Sequence, residues 1–154
     1  MSRQTKRCIK FGSFILLTLY IAVLIYVCFF SEDYGRDVIT SYYRYNLIPF
    51  KEIRRFYIYR DVVGLRAFLA NLFGNVLAFM PYGFFMPILR PKLRRMNQMF
   101  LAAFLLSLTI EITQLLTRVG SFDVDDLILN TAGGIAGYLL FYIMNKIRSK
   151  WDGA

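Results

Sequence analysis

Apolar residues fall into four long blocks, at residues 11–30, 67–89, 99–117 and 127–144, separated by polar and largely basic stretches. Three blocks carry no charge, and the third carries one, Glu111. A helix needs about 20 mostly apolar residues to cross a hydrocarbon layer roughly 30 Å thick, at about 1.5 Å of rise per residue. The pattern predicts an all-α membrane protein with four transmembrane helices. A soluble fold is a poor alternative, because a chain of 154 residues that is 57% apolar has too little polar surface to hide four such segments.

The connections set the expected orientation. Of the 19 Lys and Arg residues, four precede helix 1, four lie between helices 2 and 3, and three follow helix 4. The positive-inside bias then places both termini and the 90–98 loop in the cytoplasm. The loop at 31–66, which must lie outside, runs against this bias with seven basic residues beside five acidic ones. Residues 1–10 read as a cytoplasmic start, 11–30 as a signal-anchor helix and 31–154 as the membrane domain. The first apolar run exceeds the usual signal-peptide core of about 7–15 residues. It also ends in Cys28-Phe29-Phe30-Ser31-Glu32, without a small-residue cleavage pattern.

The outer loop holds Asn46-Leu47-Ile48-Pro49-Phe50. Pro49 keeps Ile48 extended. A short interfacial helix is expected after it, since Phe50, Ile53, Phe56 and Ile58 are spaced among Arg and Tyr, which suit the headgroup zone. Pro81 and Pro87 are expected to kink helix 2. Gly133 and Gly137 form a small-xxx-small pair on helix 4 that admits a closely packed neighbour.

Composition removes several function classes. The net charge of +9 does not indicate nucleic-acid binding, because the cations are scattered over five segments. There is no histidine, hence no Ser-His chemistry and no common zinc ligand. Cys8 and Cys28 bracket helix 1, about 30 Å apart along its axis, too far to pair. No metal site and no cofactor are expected.

Polar groups within the spans carry the functional signal, since they are costly in hydrocarbon. Helix 2 places Asn71 and Asn75 on one face. Helix 3 places Glu111, Gln114 and Arg118 on one face, with Ser107 a turn further in. Helix 4 opens with Asp123, Asp125 and Asp126 and follows with Asn130. With alternating helix directions, all of these fall in the outer half of the bilayer, where three helices would converge on one polar pocket opening outward. The bland alternative is interhelical glue, with Arg118 pairing an aspartate of the next loop and the aspartates capping helix 4. Glu111 favours a site, because a carboxylate inside a membrane must be paired, hydrated or protonated. Asn75, Asn130 and Arg118 are the partners the sequence offers it.

The runs Ile110-Glu111-Ile112-Thr113-Gln114-Leu115 and Phe122-Asp123-Val124-Asp125-Asp126-Leu127-Ile128-Leu129-Asn130-Thr131-Ala132-Gly133-Gly134 resemble the VanZ-like family. So do Asn46-Leu47-Ile48-Pro49-Phe50, Asn71-Leu72-Phe73-Gly74-Asn75 and Phe79-Met80-Pro81-Tyr82-Gly83-Phe84. These pieces, in order, place the likeness over about residues 46–142. The resemblance implies a multi-pass protein of the bacterial cell membrane. It also implies a link to low-level resistance to the lipoglycopeptide teicoplanin, without the precursor change that vancomycin resistance uses. Three functional readings follow. The first is an outer pocket that binds membrane lipid or a lipid-linked ligand. The second is an intramembrane enzyme acting on a polyprenyl-phosphate or lipid, with Glu111 and Asp126 as acid and base or the aspartates holding a metal. The third is a structural subunit of a membrane complex.

Overall fold

The computed structural model describes residues 2–30, 42–59 and 64–152, with the side chains of 65–68, 70–71 and 151–152 outside that description. Four helices are long and apolar enough to cross a membrane: α1 (Arg3–Phe29), α3 (Leu65–Leu89), α4 (Met96–Thr117) and α5 (Val124–Asp152). Between α1 and α3 come a two-residue strand, β1 (Tyr45–Asn46), and a short helix, α2 (Lys51–Ile58). Its sequence alternates Lys, Glu and Arg with Ile and Phe, as an interfacial helix requires. A 3-10 turn (Pro91–Arg94) joins α3 to α4, and β2 (Phe122–Asp123) joins α4 to α5.

The helices outrun the apolar blocks, because helical hydrogen bonding continues where hydropathy falls. α1 begins among basic residues, and the Ser2 hydroxyl caps it by accepting the Thr5 N–H at 3.1 Å. Its Phe14, Leu19 and Val23 are exposed, the disposition of a helix facing lipid on most of its surface. It is tied to the bundle where the Tyr20 hydroxyl donates to the Ala78 carbonyl at 2.6 Å. α3 runs through Pro81 and Pro87 as one helix.

The bundle is organised around α3 and α5, which lie parallel and nearly touching. A Cβ on Gly83 would strike the Gly134 carbonyl, and one on Gly137 would strike the Met80 carbonyl. The small-residue face of the fourth span is thus filled within the chain by the second span. α4 packs antiparallel against α5, with Ala103 against Gly134. Met99, Ala103, Tyr138 and Phe141 form the buried cluster at one end.

Candidate functional site

At the opposite end, where α1 and α4 finish and α3 and α5 begin, lie eight of the nine polar residues singled out from the sequence. The ninth, Asn71, belongs to the early part of α3, where its side chain lies outside the described residues. Seven of the eight form hydrogen-bonded groups at successive depths, and Arg118 stacks on a ring.

The central group joins four elements. Glu111, 2% exposed, accepts the backbone N–H of Asp123 at Oε2 over 2.8 Å. Asp123 Oδ1 in turn accepts from Asn46 Nδ2 at 3.0 Å and from the Asp125 N–H at 2.8 Å. The second bond, from two residues on, makes Asp123 the cap of α5. Burial pushes the Asp123 carboxyl above its ordinary value, against the opposing effect of the Asp125 and Asn46 bonds. Backbone pairing runs through the same place. β1 and β2 lie parallel, with Tyr45 opposite Phe122 and Asn46 opposite Asp123.

Asp125 performs a different task. It is 1% exposed, and its carboxylate accepts the backbone N–H groups of Phe50, Glu52 and Ile53, the last two at 2.8 and 3.1 Å. Those are donors at the start of α2, so Asp125 caps a helix other than its own. It also lies in the first turn of α5, where a carboxylate is favoured by the helix dipole. Phe50 adopts φ +63, a left-handed conformation that a bulky residue rarely holds, and the bond at its N–H helps fix it. The Asn46-to-Phe50 motif therefore forms a strap bound across the bundle end. Its Leu47, Ile48 and Phe50 side chains are exposed, as befits residues meeting an interface.

Three smaller groups complete the end. Asp126 Oδ1 accepts from Asn75 Nδ2 at 2.6 Å, joining α5 to α3. Asn130 Nδ2 donates to the Ser107 hydroxyl at 3.0 Å, about 9 Å along α5 from its first residue. Gln114 Nε2 donates to the Cys28 carbonyl at 2.9 Å, closing the last turn of α1 against α4. Outermost is Arg118, which ends α4 in a left-handed conformation at φ +57. Its guanidinium stacks 4.6 Å from the centroid of the Tyr43 ring.

Glu111 takes a hydrogen bond from a backbone N–H, while Asn75 and Asn130 serve Asp126 and Ser107. Arg118 meets an aromatic face in place of a loop aspartate. One buried participant was not singled out from the sequence as a site residue, Asn46. Its signal lay in the Asn46-to-Phe50 motif, where an Asn ahead of a proline turn can bond its own backbone; Asn46 Oδ1 accepts the Ile48 N–H at 3.3 Å.

Four spanning helices, with polar side chains from α4, α5 and the strap bonded at one end, define a multi-pass membrane protein with an internally braced polar face. The family model described as VanZ/LLP1 matches residues 17–145. Protein VanZ of Enterococcus faecium is 30% identical over 133 residues, covering 85% of this chain and 74% of that one. No solved structure matches the chain. The chain belongs to the VanZ/LLP1 family.

Proposed function

We propose that this protein works in the bacterial cell membrane, at the outer leaflet, where its braced polar end engages an anionic lipid headgroup or a polyprenyl-phosphate-linked ligand and so lowers susceptibility to teicoplanin. Arg118 carries the reading. Among the described residues its guanidinium meets no carboxylate, and Tyr43 holds it in place by ring stacking. A guanidinium presents a fork of donors that matches phosphate, and prior positioning reduces the entropy lost on binding. The strap beside it exposes Leu47, Ile48 and Phe50, which suit contact with acyl or prenyl chains. Teicoplanin itself carries an acyl chain, so occupying or remodelling headgroups in this leaflet would weaken its anchoring.

The buried carboxylates support positioning more than chemistry. Asp125 commits its carboxylate to three backbone donors, and Asp123 commits Oδ1 to two. The test is binding of a polyprenyl phosphate, against the uncharged polyprenol, to purified protein in neutral-lipid nanodiscs. Arg118→Gln is expected to weaken the phosphate about tenfold, as loss of a charge-assisted bond implies, and to leave the alcohol unchanged. Equal binding of both lipids, or an unchanged phosphate affinity in the variant, would contradict the reading.

A further inference from the structure

The end of the bundle away from the strap holds a second feature that the polar face does not explain. Lys6 and Lys10 of α1, Arg94 of the 3-10 turn and Arg148 of α5 surround a cavity of about 260 Å³, closed on its apolar side by Ile9 and Ile88. No acid lines it. The chain's charge is sorted to match: of its ten acidic residues, only Asp152 belongs to the basic stretches at 1–10, 90–98 and 145–154. Four cations held close together repel one another, and an anion relieves that repulsion.

The cavity does not end at the charges. Ile9, Ile88, Arg94 and Arg148 also line a larger cleft of about 460 Å³, whose remaining wall includes Phe84, Phe85, Phe141 and Met144. That volume lies within the range of about 300–1,000 Å³ usual for ligand sites. The basic mouth therefore opens into an apolar slot between α1, α3 and α5.

The arginines at the mouth are held by the fold. The Pro87 carbonyl would ordinarily receive the N–H of residue 91, but that residue is a proline without one. Arg94 Nε donates to this carbonyl instead, at 3.1 Å. Its guanidinium lies 5.9 Å from the Phe141 ring centroid, and its own carbonyl accepts the Tyr138 hydroxyl at 2.8 Å. Arg148 donates to Asn145 Oδ1 at 2.7 Å.

We infer that this cleft is a binding site for an anionic phospholipid of the inner leaflet, its phosphate among Arg94, Arg148, Lys6 and Lys10 and an acyl chain in the Phe84–Phe141 slot. The positive-inside bias assigns this end to the cytoplasmic leaflet, and basic pockets between spanning helices on that side suit anionic headgroups. A free phosphate would use the mouth and leave the slot empty. A neutral lipid would use the slot and leave the charges unsatisfied.

The test is native mass spectrometry of the purified protein titrated with phosphatidylglycerol, phosphatidylcholine and chain-free glycerol phosphate. The Lys6→Gln, Lys10→Gln, Arg148→Gln triple variant keeps the Arg94 bond to Pro87, so the turn is left intact. Phosphatidylglycerol is expected to bind in preference to the other two, and the triple variant to lose most of that preference, about fivefold for each cation removed. Arg118→Gln removes the outer-site cation, and the triple variant made in that background is expected to show the same loss, which separates this site from the outer one. Equal retention of the two lipids, an unaltered preference in the triple variant, or displacement of phosphatidylglycerol by glycerol phosphate at equal concentration would each overturn the inference.

Discussion

The carboxylate of Asp125 receives the backbone N–H of Glu52 at 2.8 Å across 73 residues of sequence, so the start of α5 fastens the start of α2. With Phe50 and Ile53 also donating to it, this one buried side chain holds the strap in place. Replacing Asp125 with Ala would strand three backbone donors. The expected loss is about 2–4 kcal/mol, at the upper end of helix-cap effects because the bonds are charge-assisted and buried. Thermal unfolding in detergent measures it, and tryptic cleavage at Arg54 and Arg55 is expected to accelerate in parallel. Wild-type stability in the Ala variant would show that the strap is held by something else.

The α3–α5 contact gives a paired prediction. A methyl at Gly83 must displace the Gly134 backbone, so Gly83→Ala is expected to cost about 1–3 kcal/mol and to reduce the folded fraction in membranes. Gly74, on the same helix, has nothing within 4 Å of the position a methyl would take. Gly74→Ala is expected to be neutral or to stabilise by up to about 1 kcal/mol through helix propensity. Fluorescence-detected size exclusion of the two variants, expressed side by side, separates close packing from a general intolerance of substitution.

Asp123 makes the braced end sensitive to pH in a stated direction. Its folded-state carboxyl lies above the ordinary 3.8 because of burial, so folding favours its protonated form. Its contribution is fully present below pH 3.8 and is lost as pH rises through the folded value. Asp123→Asn preserves an Oδ1 acceptor for Asn46 and the Asp125 N–H while removing the titration. Relative to this variant, the wild type is expected to lose stability as pH rises from 4 towards neutrality. Unfolding midpoints taken across that range check it, and parallel curves would contradict the assignment.

The spans were legible in the sequence because hydrocarbon imposes a length rule that short-range chemistry cannot disguise. Their ends were less so. α5 starts at Val124, ahead of its apolar block, because Asp123 caps it and acids are stable in a first turn. α1 starts at Arg3, because charged residues continue a helix into water. The interfacial helix was readable from Phe50, Ile53, Phe56 and Ile58, and it forms at Lys51–Ile58. The polar residues were readable as a set, and the one-face spacing of Glu111 and Gln114 agrees with their shared burial. Their pairing was not readable. Glu111 binds a backbone N–H, which leaves no trace in side-chain identity, and the β1–β2 and Asp125–α2 contacts join segments more than 70 residues apart.

In the proposed function, the end braced by Glu111 and Asp125 and carrying Arg118 lowers teicoplanin susceptibility. Teicoplanin susceptibility of a Gram-positive host tests it most directly, comparing this protein, Glu111→Gln, Arg118→Gln and empty vector at matched membrane levels, with vancomycin as the unlipidated comparison. Glu111→Gln removes the carboxyl group while retaining a carbonyl acceptor for the Asp123 N–H. The wild type is expected to protect against teicoplanin but not vancomycin, with protection abolished by Arg118→Gln and reduced by Glu111→Gln. Equal teicoplanin inhibition of the wild-type and empty-vector hosts, or full protection by Arg118→Gln, would contradict it.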